Sequence, residues 1–203
     1  MTYSILALDF EKKLLVVGVA SGSEAVGSRV PWIKKLVGAV ATQGYTNIIY
    51  GVEGLRLLER GYTPKDALAK LLERDSSPEL RQVAMIDIKG RKAVHVGAEC
   101  PEWKGYYVGG DFIVIGNLLR SKDVLEAIVK TLKEEREENL IETVLKALLA
   151  GEEAGGDARG NLSAALLASG YGVDINLRID RAANPVKELA KKYHIVYRRA
   201  VEH

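Results

Sequence analysis

The stretch from Thr2 to Ala20, TYSILALDFEKKLLVVGVA, decides the fold. Residues from Tyr3 to Asp9 are apolar with few breaks, and Leu14 to Ala20 is rich in β-branched residues. Glu11-Lys12-Lys13 between them is a short polar turn. Two such runs joined by a few polar residues predict a β-hairpin, and a hairpin commits the sheet it starts to antiparallel pairing.

Working outward, Ser21 to Ser28 (SGSEAVGS) is small and flexible and reads as a loop, and Val37 to Thr42 (VGAVAT) as a strand. Tyr50 to Arg60 and Pro64 to Arg74 read as helices. Thr63 is placed to cap the second, with Pro64 at its first position and Ala67, Leu68, Leu71 and Leu72 on one face. Arg81 to Ile88 and Arg91 to Val96 form a second hairpin around Lys89-Gly90. Asp111 to Ile115 reads as a strand. Lys122 to Glu135 and Leu140 to Ala150 read as helices around a charged bend over Glu134 to Asn139. Asp174 to Asp180 alternates polar and apolar residues as a half-exposed strand does, and Pro185 to Tyr193 is a final helix. Helices come in pairs rather than singly after each strand, so a doubly wound parallel sheet is excluded. The order predicts an α+β fold, a four-layer αββα sandwich with two antiparallel sheets between helix layers. It forms one domain over residues 1–203.

Composition narrows the function. The chain has 203 residues, 47% hydrophobic and 28% charged, enough to bury a sizeable core and inconsistent with disorder. With 29 basic and 27 acidic residues the net charge is +2, which excludes a charge-driven nucleic-acid binder. One cysteine, Cys100, excludes an intrachain disulfide and a cysteine-cluster metal site, and reads as structural. The three histidines, His95, His194 and His203, are scattered. No metal or cofactor is expected. No apolar run reaches the length of a membrane span, and nothing resembles a signal peptide, so the expectation is a cytoplasmic protein without membrane partners. Trp32, Tyr45, Ile48, Ile49 and Tyr50 cluster around loops, which predicts a homodimer or larger assembly.

Several residues carry possible chemistry. Once Met1 is removed, Thr2 presents a hydroxyl and a free α-amine, whose ordinary pKa is about 8. Nucleophile and general base then lie on one residue. Gln43 and Asn117, at strand ends, could donate to an oxyanion or serve as turn and cap residues. In Gly155 to Gly160 (GGDARG), Arg159 could read a ligand carboxylate. Alternatively Asp157 caps a helix over Asn161 to Ser169, with Arg159 as its partner. Asp174, Asn176, Arg178 and Asp180 share a strand face, read either as solvated or as a cation site.

The opening hairpin, its small-residue loop and the strand after Lys34 resemble N-terminal-nucleophile (Ntn) hydrolases, more distantly proteasome β subunits. Thr2-Tyr-Ser-Ile, Val19-Ala-Ser21, Val30-Pro-Trp32, VGAVATQ (Val37 to Gln43), Tyr50-Gly51, Gly54-Leu55, Gly116-Asn117, GGDARG, Ser163-Ala-Ala-Leu166 and the Asp174-to-Asp180 strand match more closely the domain-of-unknown-function 1028 family, itself grouped with Ntn-like folds. The resemblance implies a fold grouping rather than an activity. On an amidohydrolase reading Thr2 is the nucleophile, Lys34 supplies positive charge, Asn117 or a backbone N–H stabilises the oxyanion and Asp157 is a further catalytic position, with Ser21, Gln43, Arg159 and Ser163 as candidate ligand-binding positions. Ser21 stands where proteasome subunits carry an aspartate, and Asn117 where they carry a serine. These residues are expected to line one cleft.

Two functions stay open. One is an amidohydrolase that attacks a small amide or peptide-like substrate through Thr2. The other is a non-catalytic module of the same fold that binds a small anionic ligand or a protein partner through the GGDARG loop. A metal-dependent enzyme built on the Asp174-to-Asp180 face is least supported, for want of histidine partners.

Overall fold

Asp9 turns the chain at the first hairpin. Its carboxylate accepts from the backbone N–H groups of Glu11 and Lys12, at 3.0 and 2.9 Å. Strands β1 (Thr2–Asp9) and β2 (Leu14–Ser21) then pair in full register from Thr2↔Ser21 to Asp9↔Leu14. The structure, a computed structural model, describes residues 2–134 and 137–201. Met1, Glu135 and Arg136 in the expected bend, and His203 lie outside the described residues.

The elements that follow are β3 (Pro31–Lys34), β4 (Gly38–Gly44), α1 (Ile49–Glu59), α2 (Pro64–Leu72), β5 (Arg81–Asp87), β6 (Lys92–Val96), β7 (Gly105–Val108) and β8 (Phe112–Asn117). The chain continues through α3 (Asp123–Glu134), α4 (Leu140–Glu153), β9 (Ser163–Gly170), β10 (Val173–Ile179) and α5 (Pro185–Val201). Among the described residues the strands form two antiparallel sheets, one ordered β10-β9-β2-β1-β8-β7 and the other β3-β4-β5-β6.

Side-chain alternation sorts the apolar residues into three cores. Tyr3, Ile5 and Ala7 of β1 point to one face and pack with α3, α4 and α5. Leu6 and Leu8 point to the other, against Ala39 and Ala41 of β4 and Ala84 and Ile86 of β5, so the two sheets meet face to face. The outer face of the smaller sheet, Val40, Val83 and Met85, receives Leu55 and Leu58 of α1 and Leu68 and Leu71 of α2. Thr63 caps α2 as expected, accepting from Asp66 N at 3.1 Å. Among the described residues, no helix is long and apolar enough to cross a membrane.

Three expectations are corrected. Asn161 to Ser169 is not a helix that Asp157 could cap. It supplies β9, which lies between β2 and β10 and is buried along its length. A strand covered on both faces shows no alternation, and its small residues fit where sheets and helices press on both sides. Two short strands, β3 and β7, add to the expected order. In the aromatic cluster, Tyr50 is buried and Trp32 lies against Gly51 of α1, so both are packing residues. Tyr45, Ile48 and Ile49 are exposed. Asp174, Asn176 and Asp180 are solvent-exposed beside half-buried Arg178, which pairs with Asp180 at 2.9 Å. Among the described residues no carboxylate, histidine or cysteine group is arranged to hold a metal.

Candidate functional site

The inner faces of the two sheets are apolar along most of their length and become polar at one end. The alternation that buries Leu6 and Leu8 also turns Thr2 and Ser4 inward. It does the same for Ser21 on β2, Gln43 on β4, Gln82 on β5, Asn117 on β8 and Ser163 on β9. All seven side chains are buried, Thr2 with 5% exposure and the rest with none. Buried polar groups demand partners, and these find one another.

Thr2 lies directly opposite Ser21 on one side and Asn117 on the other. The Thr2 and Ser21 hydroxyls are 3.0 Å apart. Gln43 crosses from the facing sheet. Its Nε2 donates to the Thr2 carbonyl at 2.9 Å and to Gln82 Oε1 at 2.7 Å, and its Oε1 accepts from Ser4 Oγ at 2.6 Å. Asn117 Nδ2 donates to the same Gln82 Oε1 at 2.8 Å. Gln82 Nε2 donates to the carbonyls of Gly105 and Gly116, at 3.0 and 2.9 Å. Among the described residues, Asn117 Oδ1 is buried without a hydrogen-bond partner.

A second group of residues lies beside the loop that follows Ser21. Asp157 is buried in the glycine-rich loop after α4. Its Oδ2 accepts from Gly22 N at 2.7 Å, and its Oδ1 from Arg159 N at 3.0 Å. The Arg159 guanidinium adds bonds of 3.1 and 3.0 Å to the two carboxylate oxygens and reaches Ser23 Oγ at 3.4 Å. Burial raises the Asp157 pKa, opposed by the N–H groups of Arg159 and Gly22. Positive φ at Gly155 (115°), Gly156 (56°) and Gly160 (84°) lets this loop fold back on itself. Ser163 Oγ donates to Ser23 O at 2.5 Å and accepts from Val26 N at 3.1 Å, which pins the loop after β2. On the reverse face of β1, Tyr3 accepts from Asn161 Nδ2 at 3.0 Å, and burial raises its pKa above the usual phenol range.

The structure therefore brings together Thr2, Ser21, Gln43, Asn117, Asp157, Arg159 and Ser163. It does not bring Lys34. That residue pairs with Gly38 at the opposite end of β4 from Gln43. Five residue steps along the strand separate the two ends, about 17 Å at roughly 3.3 Å per residue. The Lys34 ammonium instead meets Glu59 of α1 at 2.6 Å, with both side chains about half exposed. The sequence spacing was compatible with a lysine beside Thr2, but the short strand β3 carries it the other way.

Gln43 differs from the oxyanion donor expected of it. Both protons of the Gln43 amide are committed within the cluster, while Asn117 commits one to Gln82 and leaves over one N–H and its acceptor oxygen. Cys100 is buried as expected, and burial pushes its thiol up to about 11. Sequence reasoning missed Ser4 and Gln82. The signal for Gln82 was its place two residues before Ala84 and four before Ile86, on the inward face of a strand where an apolar residue is the rule.

A family model described as a family of unknown function, DUF1028, matches residues 2–189. The crystal structure of protein SPO2555 from Silicibacter pomeroyi, a chain of the same family, is similar with a TM-score of 0.88 and 34% sequence identity. The match covers 95% of this chain and 84% of that one. No curated protein matches the chain. Family match and structural match together cover nearly every element described above, and the chain belongs to the DUF1028 family.

Proposed function

We propose that the chain is an Ntn-type amide hydrolase in which Thr2, freed of Met1, is the nucleophile. The observation that carries this reading is the position of Thr2. It begins a central strand at the one polar end of the inter-sheet core, with its hydroxyl 3.0 Å from Ser21 Oγ. Helices outside two face-to-face antiparallel sheets, with the nucleophile at the start of an inner strand, is the arrangement that the Ntn grouping implies.

In this reading the Thr2 hydroxyl attacks the amide carbonyl carbon while the α-amine takes its proton. The amine returns that proton to the leaving nitrogen, and water then hydrolyses the acyl ester. Ser21 holds the Thr2 hydroxyl in place. Gln43 and Gln82 have no amide proton to spare, so the oxyanion falls to backbone N–H groups and to the second amide proton of Asn117, whose first is given to Gln82. Lys34 has no part in it.

The test is covalent. Protein shown by intact mass to lack Met1 is incubated with an electrophilic β-lactone and a library of small amides. A mass increment mapped to Thr2, retained in part by Thr2→Ser and lost in Thr2→Ala, supports the reading. No adduct on verified Met-free protein overturns it. The second reading is a binding module for a small anion. It is favoured by Arg159, whose side chain is 44% exposed while the carboxylate that holds it is fully buried. Under that reading Thr2→Ala has no effect and Arg159→Ala abolishes ligand binding.

A further inference from the structure

The direction of every amide in the cluster is fixed from one place. Backbone carbonyl oxygens only accept, so Gln82 must turn its nitrogen to Gly105 O and Gly116 O. Its Oε1 is thereby aimed at two neighbours, and both must offer N–H. Gln43 is held to that orientation a second time, because the Thr2 carbonyl it bonds also only accepts. Asn117 is left with a single arrangement, Nδ2 toward Gln82 and Oδ1 away from it. A flip would set two amide oxygens against each other. The outcome is a buried acceptor with no donor, on the residue whose Cα is paired with that of Thr2.

We propose that Gln82 is a positioning residue, which fixes the Asn117 amide so that Oδ1 is presented as the acceptor for the Thr2 α-ammonium. This rests on the reading of Thr2 as an N-terminal nucleophile. The orphaned oxygen is then the site's built-in partner for a group that exists only once Met1 is gone. The side chains facing Thr2 from its own and neighbouring strands, Ser4, Ser21, Gln43, Gln82, Asn117 and Ser163, carry no charge. The charged groups around them are already engaged. Asp157 is bonded to Arg159, and Arg81 to Asp75. Lys104 is held by the carbonyls of Ala98 and Cys100. Tyr3 faces the helices.

An acceptor on an ammonium favours the charged form and raises its pKa. Attack needs the neutral amine, so the acylation rate rises with pH through that pKa. Gln82→Met keeps an unbranched chain of similar length but frees Asn117 to turn its NH2 toward the amine. The midpoint of the rate profile should then fall by about one pH unit, the scale of a single hydrogen bond to a charged group. The double variant Gln82→Met/Asn117→Asp should bring the midpoint back to the wild-type value or above it. Both carboxylate atoms are acceptors, whichever way the group turns.

The experiment follows β-lactone adduct formation on Met-free protein by intact mass from pH 5.5 to 10, with circular dichroism to confirm folding. A downward shift in Gln82→Met that the double variant reverses supports the proposal. An unshifted midpoint in a folded, reactive Gln82→Met overturns it and leaves the reading of Thr2 standing. If Gln82→Met does not fold, Asn117→Ala takes its place. That variant removes the acceptor with Gln82 intact, and an unshifted midpoint there overturns the proposal equally. Absence of any adduct on the wild-type protein overturns the proposal together with the nucleophile reading.

Discussion

Ser4 and Gln43 join the two sheets across 2.6 Å, hydroxyl to amide oxygen, with neither side chain exposed to water. The bond stands where the apolar inter-sheet core ends. It holds Gln43 in the one orientation that also lets it donate to the Thr2 carbonyl. Ser4→Ala leaves Gln43 Oε1 buried without its donor. The expected cost is about 1–3 kcal/mol of stability, read as a lower midpoint in urea unfolding with an unchanged slope. A midpoint equal to wild type would mean that the bond contributes nothing.

Ser21 shares a hydrogen bond with the Thr2 hydroxyl and also accepts from Ser23 N at 3.1 Å. Ser21→Ala should slow β-lactone acylation of Thr2 at least tenfold while the protein stays folded, because a misplaced nucleophile forfeits the orientation that makes its attack fast. Adduct formation at the wild-type rate would remove Ser21 from the site.

Lys34 gives the opposite expectation. Its ion pair with Glu59 is solvent-exposed on both sides. Such pairs contribute about 0–1 kcal/mol. Lys34→Ala should therefore leave acylation of Thr2 unchanged and shift thermal unfolding by little. A large loss of reactivity would mean that the lysine acts on Thr2 from the far end of β4.

Asp75 predicts how the protein responds to acid. Arg81 grips its carboxylate at 2.8 and 3.1 Å, and the Ser77 N–H adds a third bond at 3.0 Å. The Arg81 hydrogen bonds are the largest influence and hold its pKa well below the usual carboxylate range. A depressed folded pKa gives stability that is fully present above the unfolded value, about 3.9, and is lost as pH falls toward the folded one. Stability should decline below about pH 4 for this group. Asp75→Asn should be less stable at pH 7 and should show a flatter decline there. The comparison is urea unfolding at pH 7 and at pH 3. Parallel curves for the two proteins would show that Asp75 does not set the acid response.

Much of this fold could be read from local signals. The opening hairpin, the Thr63-capped helix and the Lys89-Gly90 hairpin each follow from a turn or a cap that a few residues specify. Residues 163–170 could not be read in that way. Ala and Leu in an unbroken run suit a buried strand as well as a helix, and their neighbours β2 and β10 decide the matter. The site divides along the same line. Thr2, Ser21 and Asn117 fall at ends of strands, and Asp157 in a glycine-rich loop, all of which the sequence delimits, so their convergence was accessible. Lys34 was placed by distance along the chain, which does not say which end of a strand a residue will occupy. Gln82 lies within a strand and owes its role to Gly105 and Gly116 across the sandwich, a relation no local pattern carries.

The placement of β9 and β8 governs when this molecule can assemble. β1 and β2 close on each other over a few residues, but β1 waits for a strand more than 100 positions later, and β2 for one more than 140 positions later. Pairings so distant make folding slow, and until they form both outer edges of the hairpin are open to other chains. A growing or truncated chain that stops before Ser163 would expose Val17 and Val19 beside an unpaired edge. Such a fragment should aggregate rather than persist as a smaller domain. The polar end of the core is thus completed only with the last strands of the larger sheet, and no N-terminal fragment can possess it.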